Sequence, residues 1–141
     1  MRKVDEGMFV SGQVRPEEVP ALAAAGVTMI VNNRPDGEQP GQPQGEALEQ
    51  AALAAGLGYR AIPVRPGSLT QEQVDAMREA LEAAEGPVLA FCAAGVRSIF
   101  LWAIAKHQAG EDGARIMHKA AEAGYDLSPI AGYLASPQSR A

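Results

Sequence analysis

The sequence predicts a single α/β domain, built on a mostly parallel central sheet of four to five strands that is flanked by helices. Short apolar segments typical of strands occur at residues 8–10, 27–32, 59–64 and 88–91. Helical segments, rather than tight hairpin turns, separate these strands, and this alternation favours βα units. The length of 141 residues fits one domain, 1–141, with its own core. We expect the tail to be frayed from about Ala135.

The first two helices are predicted from the residues that start and stop them. Residues 15–18 open the first helix with a proline near its start, and Gly26 ends it directly before a strand. Pro20 lies inside this segment, so the helix is expected to begin late or to be kinked. The second helix is expected at residues 45–55, closed by Gly56.

The third helix has the clearest signal, because Thr70 and Gln73 form a capping box ahead of apolar residues at helical spacing. A fourth helix, at residues 98–107, is apolar on most faces and is therefore expected to be central and buried. Two more helices are predicted at residues 112–123 and 127–134.

Composition limits the classes of function. The chain is 47% hydrophobic and 21% charged, with a net charge of −5, which argues against a nucleic-acid-binding or membrane-binding surface. No apolar run approaches the roughly 20 residues that span a bilayer, and a single cysteine forms no internal disulfide, so we expect a cytoplasmic protein. His107 and His118 are too few for a metal site. No glycine-rich nucleotide motif is present beyond the turn at the cysteine, so no cofactor is expected.

That cysteine, Cys92, is the most informative residue. It follows the apolar segment 88–91 and precedes the fourth predicted helix. Backbone N–H groups of such a turn converge on one point, and the helix N-terminus adds partial positive charge there. The same field favours the thiolate, which is the nucleophilic form of cysteine. The other interpretation is a buried structural cysteine at a strand end.

The residues after Cys92 suit an anion-binding loop. The small residues Ala93, Ala94 and Gly95, with Val96, let the backbone fold tightly around a ligand. Arg97 offers two parallel N–H bonds to an anion and keeps its charge. Ser98 is expected either to cap the helix or to donate its hydroxyl to the Cys92 thiolate.

Three separated motifs resemble those of one bacterial family. They are Val10-Ser11-Gly12-Gln13, Val31-Asn32-Asn33-Arg34-Pro35-Asp36-Gly37-Glu38 and Cys92-Ala93-Ala94-Gly95-Val96-Arg97-Ser98. Together they are similar to the DUF442 family, also described as the phosphatase-like domain of β-lactamase-hydrolase-like proteins. The resemblance implies a dual-specificity-phosphatase-like fold, with Cys92 as nucleophile and Arg97 as anion ligand. Family members are described as phosphatases and as sulfurtransferases, and some are fused to persulfide dioxygenases.

Two features of the turn depart from the phosphatase pattern. Tyrosine-phosphatase loops carry five residues between cysteine and arginine, whereas four separate Cys92 from Arg97, as in rhodanese-type sulfurtransferase loops. Phe91 stands where phosphatases usually have histidine. Within the DUF442 family, Ala93 also replaces a frequent arginine, which weakens the local positive field.

A phosphatase needs a general acid to protonate its leaving group. The segment 61–68, where the resemblance places that acid, contains no carboxylate. Asp36 is the loop acid best placed to serve instead, although a Pro-Asp-Gly turn also explains it. Arg34 and Arg65 are candidates for framing the mouth of the site and holding an anionic substrate, or else are solvated or ion-paired arginines.

Sulfur transfer needs no such acid, because sulfite or a thiolate leaves as a stable anion. We therefore predict a cysteine-dependent sulfurtransferase that takes a sulfane sulfur from thiosulfate or glutathione persulfide, with a persulfide dioxygenase as a candidate partner. A dual-specificity-type phosphatase is the alternative. A non-catalytic anion-binding module is the second alternative.

Overall fold

The structure, a computed structural model, describes residues 1–137. The last part of the tail that was predicted to be frayed lies outside the described residues. Ala135, where that tail was expected to begin, is the final residue of a helix.

One five-stranded sheet organises the described chain. Its strands are β1 (Arg2–Asp5), β2 (Met8–Ser11), β3 (Met29–Asn32), β4 (Gly58–Ala61) and β5 (Val88–Phe91). Their order across the sheet is β1-β2-β5-β3-β4. Strand β1 runs antiparallel to β2, and the other three pairings are parallel. The α/β class with a mostly parallel sheet is therefore confirmed.

The first strand was not among the four predicted strands. It forms a hairpin with β2, a connection that the sequence did not predict, whereas helical segments separate the four predicted strands as expected. The segment Arg2-Lys3-Val4-Asp5 carries charges at three of four positions and has one buried residue, Val4. A strand at the sheet edge needs only this single apolar contact, which is why its sequence pattern is weak.

Within residues 1–137, six α-helices accompany the sheet. They are α1 (Val19–Ala24), α2 (Gly45–Ala54), α3 (Gln71–Ala83), α4 (Val96–Gln108), α5 (Gly113–Glu122) and α6 (Ala131–Ala135). Short 3₁₀ turns at Pro16–Glu18 and Ser128–Ile130 precede α1 and α6, where single helices were expected. The late start of α1 agrees with the constraint that Pro20 places on this segment.

Helices cover both faces of the sheet. On one face, Val88 and Ala90 of β5 pack in a core with α3, α4 and α5, and on the other, Leu89 and Phe91 pack in a core with α1 and α2. Helix α4 is buried along most of its length, as predicted. Within residues 1–137, no helix combines the length and the apolar character needed to cross a bilayer.

Candidate active site

The Cys92 turn joins the carboxyl end of the central strand β5 to the N-terminus of α4. Cys92 is 1% exposed. The N–H of Gly95 donates to Cys92 Sγ at 3.2 Å. Gly95 has a φ of 90° and is the N-cap of α4, a left-handed conformation that glycine adopts without strain. The turn thus directs a backbone donor and a helix N-terminus at the sulfur.

The outer side of the turn is open. Ala93, Ala94 and Val96 are exposed, whereas Gly95 is buried. A Cβ added to Gly12, after β2, would lie 3.0 Å from the carbonyl oxygen of Ala93. The Ser11-Gly12 backbone therefore packs directly against the turn and supports it from the neighbouring strand.

Arg97, in the first turn of α4, is held by two loops. Its Nη1 donates to Glu38 Oε2 at 2.8 Å, and its Nη2 donates to Glu38 Oε1 at 3.0 Å. Nη1 also donates to the carbonyl oxygen of Val64 at 2.8 Å. A bidentate arginine–carboxylate pair fixes the plane of the guanidinium as well as its position.

These contacts set the charge state of the pair. Hydrogen bonding to Arg97, with a smaller contribution from Arg34, holds the pKa of the Glu38 carboxyl below its usual range despite partial burial. Hydrogen bonding to Glu38 raises the pKa of the Arg97 guanidinium, and the neighbouring Cys92 sulfur adds to that shift. Glu38 is therefore an ionised acceptor near neutral pH and does not carry a proton to give.

Arg34 is buried behind this pair rather than open at the mouth of the site. Its Nε donates to Glu38 Oε1 at 2.9 Å, and its Nη1 donates to the side-chain oxygen of Gln13 at 2.9 Å. Arg34 is 8% exposed. Of the two interpretations of Arg34, the ion-paired arginine is the one observed, and the residue does not frame the mouth of the site, because its guanidinium is buried and paired with Glu38.

Ser98 serves the packing of the turn and not the sulfur. Its hydroxyl donates to Asn33 Oδ1 at 2.8 Å, and the Asn33 amide donates to the carbonyl oxygen of Ile62 at 2.9 Å. Both side chains are fully buried. Ser98 neither caps α4, since Gly95 does, nor donates to Cys92, so both expectations for this hydroxyl are corrected.

Asp36 is directed at another element. Its carboxylate accepts the N–H of Gly45 at 2.8 Å, at the start of α2. Within residues 1–137 its carboxylate makes no hydrogen bond or ion pair with the Cys92 turn, and Asp36 lines a pocket with Tyr59 and Glu49. The structure does not bring this predicted acid to the sulfur.

Arg65 is exposed at the rim of a groove beside Arg97. The groove has a volume of about 370 Å³ and runs along α4. Its walls include the apolar residues Leu69, Phe100, Ile104, Pro129 and Ile130. Arg65 is therefore the one of the two candidate substrate arginines that faces solvent near the site.

Two residues near the turn were missed by the sequence analysis. Glu38 lies in the second motif, four residues after Arg34, but its setting among prolines and glycines gave no sign of its partner. Tyr125 lies against Gly95 although 30 positions separate them in the sequence.

Residues 1–137 bring together no set of three or more His, Cys, Asp or Glu side chains arranged for a metal ion.

The sequence model for the phosphatase-like domain of beta-lactamase hydrolase-like proteins matches residues 1–110. The chain belongs to this family. The match ends within the segment that follows α4, so it includes all three motifs and all of the sheet.

Relatives of the family differ in length. The Beta-lactamase hydrolase-like protein of Agrobacterium fabrum is 38% identical over 102 residues, which are 72% of this chain and 24% of that protein. The chain thus spans about a quarter of this curated relative. A "putative phosphatase" of Neisseria meningitidis, known from a crystal structure, is 30% identical, covers 94% of both chains and superposes with a TM-score of 0.81.

More distant structures share the fold. Human DUSP28 superposes with a TM-score of 0.65 at 20% identity, covering 99% of this chain and 88% of that chain. At this identity the likeness concerns the fold alone. The predicted dual-specificity-phosphatase-like architecture is confirmed.

Proposed function

We propose that this phosphatase-fold protein is a cysteine-dependent sulfurtransferase in which Cys92 carries the sulfur. The observation on which this rests is the state of Glu38. This carboxylate meets the anion-binding arginine, yet Arg97 and Arg34 hold it ionised. A group in that state is a poor proton donor for an alkoxide leaving group. Sulfur transfer from thiosulfate or a persulfide needs no donor, because its leaving groups are stable anions.

The proposed reaction has two steps. The Cys92 thiolate attacks the sulfane sulfur of thiosulfate, the S–S bond of the donor breaks, and sulfite leaves with the electron pair. Cys92 then carries a persulfide. An acceptor thiolate, or cyanide in an assay, attacks the outer sulfur, takes it as a persulfide or as thiocyanate, and regenerates the Cys92 thiolate. No oxidant or reductant is consumed.

The turn supplies two kinds of stabilisation for this cycle. The Gly95 N–H at 3.2 Å from Sγ stabilises the negative sulfur. Arg97, fixed by Glu38 and Val64, is placed to meet the anionic donor next to Cys92. The four-residue spacing between Cys92 and Arg97 also supports this chemistry, since it is that of rhodanese-type loops.

A phosphatase activity is the second candidate, and the comparisons favour it. The family description, the Neisseria protein and the shared DUSP28 fold all refer to phosphatases. In that case Cys92 would attack phosphorus, and water or another group would protonate the leaving oxygen, because Asp36 is bound to Gly45. A non-catalytic anion-binding module remains the third candidate.

Intact-mass analysis separates these candidates. After incubation with thiosulfate, the sulfurtransferase should gain about 32 Da, the mass of one sulfur atom, and should release thiocyanate when cyanide is added. Cys92→Ser should lose both effects. A burst of phenol release from an aryl phosphate that needs Cys92, without any sulfur adduct, would overturn the proposal in favour of the phosphatase. Anion binding without either reaction would favour the binding module.

We propose the physiological sulfur donor and acceptor as chemical classes. Small sulfane-sulfur compounds such as thiosulfate or glutathione persulfide fit a turn in which the thiol is nearly covered. A persulfide dioxygenase is a proposed partner, because it would consume the persulfide product. Adding such an enzyme should accelerate sulfur turnover by the wild-type chain but not by Cys92→Ser.

A further inference from the structure

Tyr125 covers the inner side of the Cys92 turn. It lies in the segment after α5, beyond the part of the chain that the family model matches. A Cβ added to Gly95 would collide with the Tyr125 hydroxyl and would lie 3.0 Å from a methyl group of Val10. The hydroxyl is therefore in contact with the residue whose N–H donates to Cys92 Sγ.

Two contacts hold Tyr125 in this place. The Tyr125 N–H donates to the carbonyl oxygen of Ala120 at 2.9 Å, which anchors the segment to the end of α5. Arg2, in β1, places its guanidinium 5.9 Å from the centre of the Tyr125 ring and donates to the carbonyl oxygen of Ala123 at 2.9 Å. The ring is thus fixed between a cation and the turn.

The charge of the Cys92 sulfur affects the pKa of the Tyr125 hydroxyl. Burial raises the pKa of Tyr125, the positive charge of Arg2 opposes the shift, and the negative charge of Cys92 adds to it. The phenol therefore keeps its proton well above neutral pH and remains a hydrogen-bond donor beside the turn. A neutral donor near a thiolate stabilises the charged sulfur.

We propose that Tyr125 is a positioning residue of the Cys92 site, which keeps the Gly95 N–H directed at Sγ and stabilises the thiolate through its hydroxyl. The inference rests on Cys92 being the reacting thiol, as in the proposed function, but not on which group that thiol takes. It also makes the segment after α5 a part of the site. Substitution of Tyr125 should then change the reactivity of a cysteine that lies 33 positions earlier in the sequence.

Tyr125→Phe tests the role of the hydroxyl, because it keeps the ring and its contact with Arg2. The rate of Cys92 alkylation by iodoacetamide is measured across pH in the whole chain, with intact mass as the readout. Loss of the phenol dipole that lies against Gly95 should move the midpoint of this profile upward by about 0.5 to 1 pH unit. Tyr133→Phe is the matched control, because its hydroxyl contacts Gln108, and it should leave the midpoint unchanged.

The outcomes separate this inference from a structural role and from the proposed function. An unchanged midpoint in Tyr125→Phe would overturn the inference, whether or not the melting temperature falls. An equal shift in Tyr133→Phe would also overturn it, because the effect would then be general. Alkylation does not require a sulfur donor, so failure of thiosulfate to load Cys92 would contradict the proposed function while leaving the role of Tyr125 intact.

Discussion

Glu38 determines how much positive charge the Cys92 turn offers to a ligand. Two arginines, Arg34 and Arg97, share this one carboxylate, which is 21% exposed at its side chain. A buried arginine without its partner would be costly, so Glu38 both balances the charge and orients Arg97. The same pairing leaves a site with one net positive charge before the thiolate is counted.

Replacing Glu38 with glutamine should weaken both stability and activity. A neutral amide offers one acceptor oxygen where the carboxylate accepts three hydrogen bonds from two arginines. We expect the free energy of unfolding to fall by about 2 kcal/mol at neutral pH, and sulfur transfer to slow about tenfold or more as Arg97 loses its orientation. Urea denaturation and a thiocyanate assay measure the two effects.

The difference in stability between wild type and Glu38→Gln should depend on pH. Because the pKa of Glu38 is lowered in the folded state, its stabilisation is present above the usual carboxyl range and is lost as the pH falls through the lowered value. The stability difference between wild type and Glu38→Gln should therefore shrink as the pH falls below the usual carboxyl range. Glu79→Gln, on the exposed side of α3, is the control and should show little difference at any pH. A gap that widens in acid would contradict this assignment.

The residue types in the sequence were enough to identify Cys92 and Arg97, but not the residues that hold them in place. Cys92 and Arg97 stand out because a strand, a small-residue turn and a helix start surround them in the sequence. Glu38, Asn33 and Tyr125 reach the turn only through the folded chain, and nothing local in the sequence distinguishes an enclosed carboxylate from a solvated one. The alternatives for Ser98 failed because Asn33 offered a buried acceptor that sequence spacing does not reveal.

Among the secondary-structure elements, α3 begins with a capping box that also contacts the loop next to the site. Thr70 accepts the N–H of Gln73, and the Gln73 side chain accepts the N–H of Thr70, as the capping box predicted. The Gln73 amide also donates to the carbonyl oxygen of Pro63 at 3.0 Å. This cap therefore restrains the loop whose Val64 carbonyl holds Arg97.

Thr70→Ala should lower the free energy of unfolding by about 1 kcal/mol, the usual cost of a lost N-cap. The effect on sulfur transfer should be smaller than that of Glu38→Gln, because the loop keeps its bond to Arg97. Ser68→Ala removes an exposed hydroxyl two residues away in the same loop and serves as the control. Chemical denaturation of both variants gives the comparison, and equal losses would argue against capping as the cause.

Helices whose sequence carries a periodic or capping signal could be predicted. Strands whose bounds depend on their neighbours in the folded sheet could not. The bounds of α2 and α3 follow their start and stop residues closely. The strand β1 was not predicted because it lies at the sheet edge and has only one buried residue, Val4. The expected strand at residues 59–64 is observed as Gly58–Ala61, since the chain leaves the sheet to form the loop that carries Val64.

For the molecule as a whole, stability and the candidate site depend on the same central strand. In β5, Leu89 pairs with Phe9 of β2 and Ile30 of β3 and is fully buried in the core beside α1 and α2. Phe91, two residues further, belongs to the same core and precedes Cys92. Packing of this strand therefore determines where the sulfur lies.

Leu89→Ala should lower the free energy of unfolding by about 3 kcal/mol, through lost burial and the cavity that remains. That is a large share of the total stability of a domain of this size. Leu53→Ala, at a site in α2 that is 57% exposed, should change stability by less than about 0.5 kcal/mol. Urea denaturation of the two variants measures both values, and a small loss at Leu89 would show that the core beside α1 and α2 readjusts around the cavity.

Because Cys92 is buried, its sulfur lies below the surface that a large acceptor can touch. The thiol is 1% exposed at the end of β5, while Ala93 and Ala94 form the open rim above it. In the proposed sulfur transfer the donor would approach from solvent, and the sulfur left on Cys92 would stand about 2 Å further out, the length of an S–S bond. The loaded protein would thus present its sulfur near the rim, whereas the empty protein keeps its own withdrawn. Large acceptors could meet the first form and would have little access to the second.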